Sequence, residues 1–577
     1  MAQKSRRWQS DPEWLSMTDE QLLDVARAWI AHDPDPDTVA EATALVDARD
    51  LVALRDRFGG RLTFGTAGLR GAIGAGPNRM NRLVVRQSAA GLGARILADE
   101  QPNYSERGVV IGFDARHKSD AFASDSARVL AAQGITVHVF PHTVPTPVLA
   151  FAVTHLGCAA GVQVTASHNP PQDNGYKVYW GDGPQIVSPL DEQIAAAIDV
   201  VATSAGSPVL AAANDPRIHR VDDAVVEAYF AGVAALDTRT SDSPARAKLR
   251  IVYTAMHGVG GASMLRIFDE AGFTAVDPVV EQQQPDPEFP TVAFPNPEEP
   301  GALELAFQLA RRVDADLIIA NDPDADRMSA AIPDATVEGG WRQLRGDEVG
   351  WLLAQHLLRV TSAKGASRLV ATTIVSSSLL GAMAAMHGVQ YRETLTGFKW
   401  LARNVLAHPE LTHVLSYEEA LGYSVGGLVL DKDGLSAALV LADLAATRRA
   451  AGSSLADALS EIVDEYGRYE TQQQSLRFEV SNAAEQQAAL MNRLRSHVPT
   501  SIAGVPVSSV RDVSTESPAS DVLILRLGSV GRVTVRPSGT EPKCKVYYEV
   551  VSRNGDEGGV SIADLRASMA EILCRLE

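Results

Sequence analysis

Cysteine is scarce. Cys158, Cys544 and Cys574 are the three in 577 residues, an odd number without CxxC spacing, which excludes a disulfide framework and a zinc knuckle and fits a reducing cytoplasm. Long apolar runs are also lacking. No stretch reaches the roughly 18 residues that a membrane span needs, and the start, MAQKSRRWQSDPEW, runs through charge and proline without the apolar core of a signal peptide. We read the chain as unprocessed, soluble and cytoplasmic. Positive charge is short as well: 52 Lys plus Arg against 71 Asp plus Glu leave a formal charge of -19. Such a balance opposes non-specific attraction to nucleic acid or anionic membrane, so neither is expected as a partner, and any anionic ligand has to be captured locally.

What is present is ordinary globular composition, 45% hydrophobic and 21% charged, over a length that suggests about four domains at roughly 150 residues each. Apolar positions at helical spacing (Leu22, Leu23, Val25, Ala26, Trp29), broken by DPDPD at 33 to 37, predict a helical N-terminal extension over residues 1–60. From residue 108, strand and amphipathic helix alternate through GVVIGFDAR, SDAFASDSARVLAAQG, ITVHVF, PVLAFAVTHLG and AAGVQVTAS. That βαβαβ order implies a mainly parallel sheet, and it recurs twice, around KLRIVYTAMHG to ADLIIAN and around RLVATTIVSSS to THVLSYEEA. Beyond residue 460 the strands SLRFEV, VLILRLG, GRVTVRP and KVYYEV with two helices read as a smaller α+β domain. The fold class is therefore α/β: three similar mixed, mostly parallel α/β domains, expected over 61–210, 211–335 and 336–460, and a C-terminal α+β domain over 461–577. Seams are expected in 202–217, 333–345 and 451–470.

In open α/β sheets ligands bind beyond the carboxyl ends of the strands, and five regions carry unusual chemistry. TASHNP (165–170) presents the Ser167 hydroxyl at a strand end before an Asn-Pro turn; a plain turn is the alternative. LIIAN is followed by Asp322, Asp324 and Asp326 in DPDADR, carboxylates whose repulsion after a buried strand calls for a shared divalent cation, most simply Mg²⁺. An EF-hand is excluded, because Arg327 and Pro333 stand where it needs Gly and Glu. FGTAGLRG (64–71) sets Thr66 and Arg70 among three glycines, either to let an anion approach or as a tight turn. In RPSGTEPKCK (536–545), Arg536, Ser538, Thr540 and Lys543 surround Gly539, a phosphate cradle without a Walker sequence. Finally, TLTGFKW (394–400), SYEEALGY (416–423) and DKDG (431–434) bring Glu418 and Glu419 to a strand end, where they could read sugar hydroxyls or be surface charge.

A nucleophilic hydroxyl, a metal loop, an arginine turn, hydroxyl-reading carboxylates and a separate anion cradle together suit phosphoryl transfer between oxygens of a substrate held by a second phosphate. An aspartyl-phosphate phosphatase with Asp322 as nucleophile is one rival, but its DxDx[TV] pattern disagrees with Asp326 and leaves TASHNP and RPSGTEPK without roles. A non-catalytic scaffold that keeps the fold is the other.

In these motifs and their order the sequence resembles the α-D-phosphohexomutase superfamily, the phosphoglucomutases and phosphomannomutases, over nearly its whole length. The segment RFGGRLTFGTAGLRGAIGAGPNRMN and the N-terminal extension resemble the longer branch that includes phosphopentomutase-like members. The resemblance implies four domains around a central cleft and interconversion of sugar 1-phosphate and 6-phosphate (glucose or mannose) through a phosphoserine enzyme, with a sugar 1,6-bisphosphate as primer; ribose or deoxyribose phosphate is the alternative substrate. It also implies that Ser167 carries the phosphoryl group, that Ser167 with Asp322, Asp324 and Asp326 binds Mg²⁺, and that Arg70 and Arg327 steady the transferring phosphate. His168 and Lys177 are then the candidates for proton transfer. Thr66, Thr396, Gly397, Lys399 and Glu418 or Glu419 would meet substrate, with Glu418 favoured, and Arg536, Ser538, Gly539, Thr540 and Lys543 would grip the non-reacting phosphate. Ala420 departs from the many relatives that have Ser there, which removes one hydroxyl contact.

Overall fold

The computed structural model describes residues 17–65, 68–99, 101, 103–204, 206–236, 240–361, 365–478, 483–538, 543–552 and 559–576. Three helices open it, Asp19–Ile30, Pro36–Asp47 and Leu51–Phe58. Each starts where a side chain takes an orphan backbone N–H: Thr18 in a reciprocal capping box with Gln21, Asp35 ahead of Pro36, and Asp50 on Ala53. Leu22, Leu23, Ala42, Leu54 and Phe58 form their small core. Lys118 ties this unit to the next, donating to Asp35 at 2.6 Å and Asp37 at 2.7 Å.

Three mixed sheets follow. In the first, Val109–Phe113 pairs in parallel with Val137–Val139 and Ala160–Val164. In the second, Ile251–Thr254 does so with Val276–Pro278 and Leu317–Asn321. In the third, Arg368–Thr373 does so with Gln390–Thr394 and Thr412–Glu418. Each sheet then turns back on itself in a way the sequence reading missed. Asp173–Trp180, Met328–Pro333 and Gly422–Val425 each return antiparallel beside the strand that ends at a chemical loop. TASHNP, DPDADR and EEAL are therefore hairpin connections, fixed at both ends by a ladder.

Two expected boundaries are corrected by strand pairing. Ile218–Arg220 hydrogen-bonds Val137–Val139, so the first sheet runs past 210. Trp341–Gln343 pairs with Met328–Pro333, so the second runs past 335 and the seam expected at 333–345 is partly strand. The stretch 451–470 contains the helix Leu455–Tyr466. The strand expected at SLRFEV begins earlier, at Arg468, and belongs to an antiparallel five-stranded sheet with Lys543–Ser552, Gly531–Pro537, Leu523–Arg526 and Ser509–Asp512.

A single apolar core continues from Val110 and Val148 through Ile251 and Leu317 to Leu352, Leu415 and Leu441, crossing all three α/β units. Helix Gly434–Ala450, buried along most of its length, lies within it. The C-terminal unit has its own core around Leu490, Leu523, Val533, Val546 and Leu565. It meets the third sheet through a small patch, Ile374 and Val375 against Val513, Val522, Ile524 and Tyr547. Among the described residues no helix is long and apolar enough to cross a membrane.

Candidate active site

Ser167 lies in the loop between Ala160–Val164 and Asp173–Trp180 with φ 53°, a left-handed conformation that costs a non-glycine residue energy unless its surroundings hold it. Its N–H donates to Thr165 Oγ1 at 2.9 Å. Its hydroxyl is buried and donates to Asp322 Oδ2 at 2.8 Å, with His168 Nδ1 3.2 Å away. Two loops 155 residues apart in sequence thus meet at one oxygen.

The DPDADR loop is built from below. Asn321 accepts from the Tyr253 hydroxyl at 3.0 Å and donates to the Arg327 carbonyl at 2.7 Å, closing the loop on itself. Ala325 takes φ 57° at its tip. The oxygens of Asp322, Asp324 and Asp326 lie within 4.8 Å of one another, all buried. Asp324 Oδ1 and Asp326 Oδ1 have no hydrogen-bond partner. Paired hard oxygen donors, buried and unsatisfied, fit a divalent cation such as Mg²⁺.

Of the other oxygens, Asp322 Oδ1 accepts from the Arg327 N–H at 2.9 Å, and the rest face cations or hydroxyls. Lys177, on the return strand Asp173–Trp180, donates to Asp324 Oδ2 at 2.6 Å and Asp326 Oδ2 at 2.7 Å. Thr146 donates to Asp324 Oδ2 at 2.6 Å, and Lys432 lies 3.4 Å from Asp326 Oδ2. Burial and the charges of Asp324 and Asp326 push the Asp322 carboxyl well above its ordinary range. Asp326 is held below it, because Lys177, Lys432 and Arg327 outweigh its burial. Burial, with Arg327 and Arg70 nearby, keeps the His168 imidazole well below its usual range. Lys177 stays charged, since the pull of Asp324 and Asp326 exceeds the cost of its burial.

Arg327 lies 3.6 Å from Glu298 and 4.0 Å from Asp326. Arg70, on strand Leu69–Ala72, donates to Asn169 Oδ1 at 3.1 Å, so the glycine-rich segment joins the nucleophile loop through a strand. Thr66 lies outside the described residues. On the third unit, the Gly397 N–H donates to Glu418 Oε1 at 2.8 Å, while Glu419 turns away and accepts from Ser376 Oγ at 2.8 Å. Thr396 Oγ1 is buried without a partner, and Lys399 lies 6.0 Å over the Trp400 ring. Burial and Glu419 raise Glu418, against the pull of Lys432.

On the C-terminal sheet, the Ser538 N–H donates to the Lys543 carbonyl at 2.8 Å and Arg536 stands opposite Lys545. Gly539 and Thr540 lie outside the described residues. Burial, with Lys543 and Arg536 beside it, pulls the Lys545 ammonium below its ordinary range against the opposing pull of Glu419 and Glu298. Crowded cations of this kind offer a place for an anion.

Several participants escaped the sequence reading. Lys432, in the DKDG segment, sits between Asp326 and Glu418, and its neighbour Asp431 is held by Tyr179 and Gln185 of the first unit, both at 2.8 Å. The motif was visible but its partners were more than 200 residues away. Thr146 and Glu298 carried no local signal.

Models of the phosphoglucomutase/phosphomannomutase family match the chain in four parts: alpha/beta/alpha domain I over residues 61–204, domain II over 227–335, domain III over 345–466 and the C-terminal domain over 519–568. A protein of Haemophilus influenzae named "Probable phosphomannomutase" is 42% identical over 86% of this chain and 98% of its own length. The human protein named "Phosphopentomutase" is 35% identical over 94% of each chain. The crystal structure of a phosphoglucomutase/phosphomannomutase family protein from Burkholderia thailandensis superposes with a TM-score of 0.67 at 19% identity, covering 89% of this chain and 97% of that one, a likeness of fold.

Proposed function

The chain belongs to the phosphoglucomutase/phosphomannomutase family, and we propose that it is a phosphosugar mutase that moves a phosphoryl group between the anomeric and terminal oxygens of one sugar through phosphorylated Ser167 and a sugar bisphosphate. The observation that carries this reading is the 2.8 Å contact of Ser167 Oγ with the buried Asp322 of the acidic triplet. It joins a carrier hydroxyl to the loop best suited to a divalent cation.

In the forward step the Oγ–P bond of phosphoserine 167 breaks as a bond forms from phosphorus to the free sugar hydroxyl, and that hydroxyl's proton leaves to a base. His168 is the base we assign. Its Nδ1 lies 3.2 Å from the carrier oxygen, whereas Lys177 has turned its ammonium onto two carboxylates. Asp322, Asp324 and Asp326 would hold Mg²⁺, which when bound neutralises charge on the transferring phosphoryl oxygens. Arg70 and Arg327 flank the same space and add fixed positive charge. Arg536, Ser538, Lys543 and Lys545, with Gly539 and Thr540, form the cradle for the distal phosphate, and Glu418 beside Gly397 orients the ring. The bisphosphate then turns around, the P–O bond at its other end breaks as phosphorus bonds Ser167 Oγ, and the leaving sugar oxygen takes the proton back from His168. A phosphate monoester is a durable carrier because its uncatalysed hydrolysis is extremely slow.

For the sugar, glucose and mannose phosphates suit a Glu418 that accepts from adjacent hydroxyls. A pentose phosphate is favoured by a different observation: Ala420 leaves the EEALG loop without a hydroxyl, one contact fewer for a hexose. Side-by-side rates on glucose, mannose, ribose and deoxyribose 1-phosphates, each with a bisphosphate primer, decide between them. Absence of turnover on all four contradicts the mutase reading.

A further inference from the structure

Arg116 lies in GFDAR, after the strand Val109–Phe113, and is buried beneath the nucleophile loop. Its guanidinium collects four backbone carbonyls, three from that loop and one from the first residue of the return strand: Ser167 at 2.6 Å and Asn169 at 2.5 Å through Nη2, Pro170 at 2.8 Å and Asp173 at 3.1 Å through Nη1. None of these carbonyls lies in a helix, and a planar fork with fixed donor directions is the side chain suited to take them all. Arg116 is itself fixed from two sides. Asp114 Oδ2 lies 3.4 Å from its Nε, and the ring of Phe289, from the second unit, covers it at 4.9 Å. Asp114 in turn accepts from Ser119 at 2.7 Å and from the Arg116 N–H at 3.0 Å.

Resting on the mutase reading, we propose that Arg116 is the positioning residue for the phosphoryl carrier: its fork holds Ser167 in the left-handed conformation that aims Oγ at the acidic triplet. It touches neither sugar nor phosphoryl group and acts only through the loop. Lysine keeps the charge but offers no planar fork, so it cannot bind four carbonyls spread over seven residues in fixed directions. A carrier oxygen displaced by about 1 Å costs about 10²-fold in rate, while the cradle and the sugar loop, on other units, keep their affinity.

The test compares wild type with Arg116→Lys and Arg116→Ala, with folding followed by circular dichroism. Arg116→Lys is expected to lose about 10²-fold in kcat with KM changed less than about threefold, and to become phosphorylated on Ser167 more slowly with a sugar bisphosphate. In Arg116→Ala, added guanidinium is expected to restore part of kcat. Arg116→Lys with wild-type kcat, or with an unchanged kcat and a raised KM, overturns the proposal. If neither variant folds, a crystal structure of the wild type decides: a guanidinium beyond hydrogen-bond distance of the Ser167 and Asn169 carbonyls overturns it, and the four contacts support it. Wild-type turnover separates the two claims, since an inactive wild type that never carries phosphate on Ser167 defeats the mutase reading, whereas an active wild type matched by Arg116→Lys defeats only the role of Arg116.

Discussion

Lys177 neutralises the acidic loop as it stands, with contacts of 2.6 and 2.7 Å to Asp324 and Asp326 and almost no exposure to water. Removing one partner of a buried ion pair leaves an uncompensated charge and costs about 3–5 kcal/mol. Lys177→Met should therefore lose stability by that order in chelator. Millimolar Mg²⁺ should recover part of it, because the freed carboxylates gain a cation. Thermal unfolding with and without Mg²⁺ measures this, and a variant whose melting temperature ignores Mg²⁺ contradicts the assignment of the triplet as a metal site. At the same scale, Gly258 is as necessary as any charged residue. A Cβ there would lie 2.3 Å from Pro323 Cα, and the next residue, Val259, donates to the Pro323 carbonyl at 2.8 Å. The acidic loop is thus moulded against a backbone that the sequence gives no local reason to single out.

Among the elements, those with strong periodicity were legible in advance. The βαβαβ of the first unit and the strand LIIAN follow from apolar runs and amphipathic spacing. The return strands were not, because DNGYKVYW and MSAAIP follow turn-rich loops and mix small and polar residues, and their β structure comes from pairing with a neighbour. Ser167 and the Asp triplet could be singled out as candidates by their position after strands. Arg116, Thr146 and Glu298 did not, since their partners are set by folding. The helix Gly346–Val360 buries the carboxyl of Asp347 in its first turn. Asp347 is pushed up to about 7 by burial and by Glu419 and Glu549, although it accepts from the Ser377 N–H and the Thr471 hydroxyl, both at 2.8 Å. An aspartate that titrates near 4 when unfolded but about 7 when folded holds an extra proton only in the folded chain between those values. Stability contributed here is full below about pH 4 and falls as pH rises to about 7. Asp347→Asn should flatten that part of the profile, read as the difference from wild type in melting temperature from pH 4 to 8; an identical slope in both proteins contradicts it.

Over the whole molecule, three units share one core while the fourth has its own. Its seam with the third unit is a small apolar patch beside polar bridges: Arg532 lies 3.1 Å from Glu393, and Glu549, paired with Arg532 at 2.9 Å, accepts from Ser377 at 2.9 Å. A separate core and a small patch at the seam allow rigid-body motion. Closing the C-terminal unit over the cleft would bring its basic strand end toward the acidic loop and exclude water from the transfer. A saturating sugar bisphosphate should then reduce the radius of gyration in solution scattering, and an unchanged radius contradicts closure. Loops from two units meet at one oxygen, Ser167 Oγ. Phosphopeptide mapping after incubation with a sugar bisphosphate and Mg²⁺ tests that oxygen as the carrier most directly. Phosphate is expected on Ser167, with Ser167→Ala unlabelled and without turnover; phosphate on Asp322 instead, or full turnover by Ser167→Ala, would contradict it.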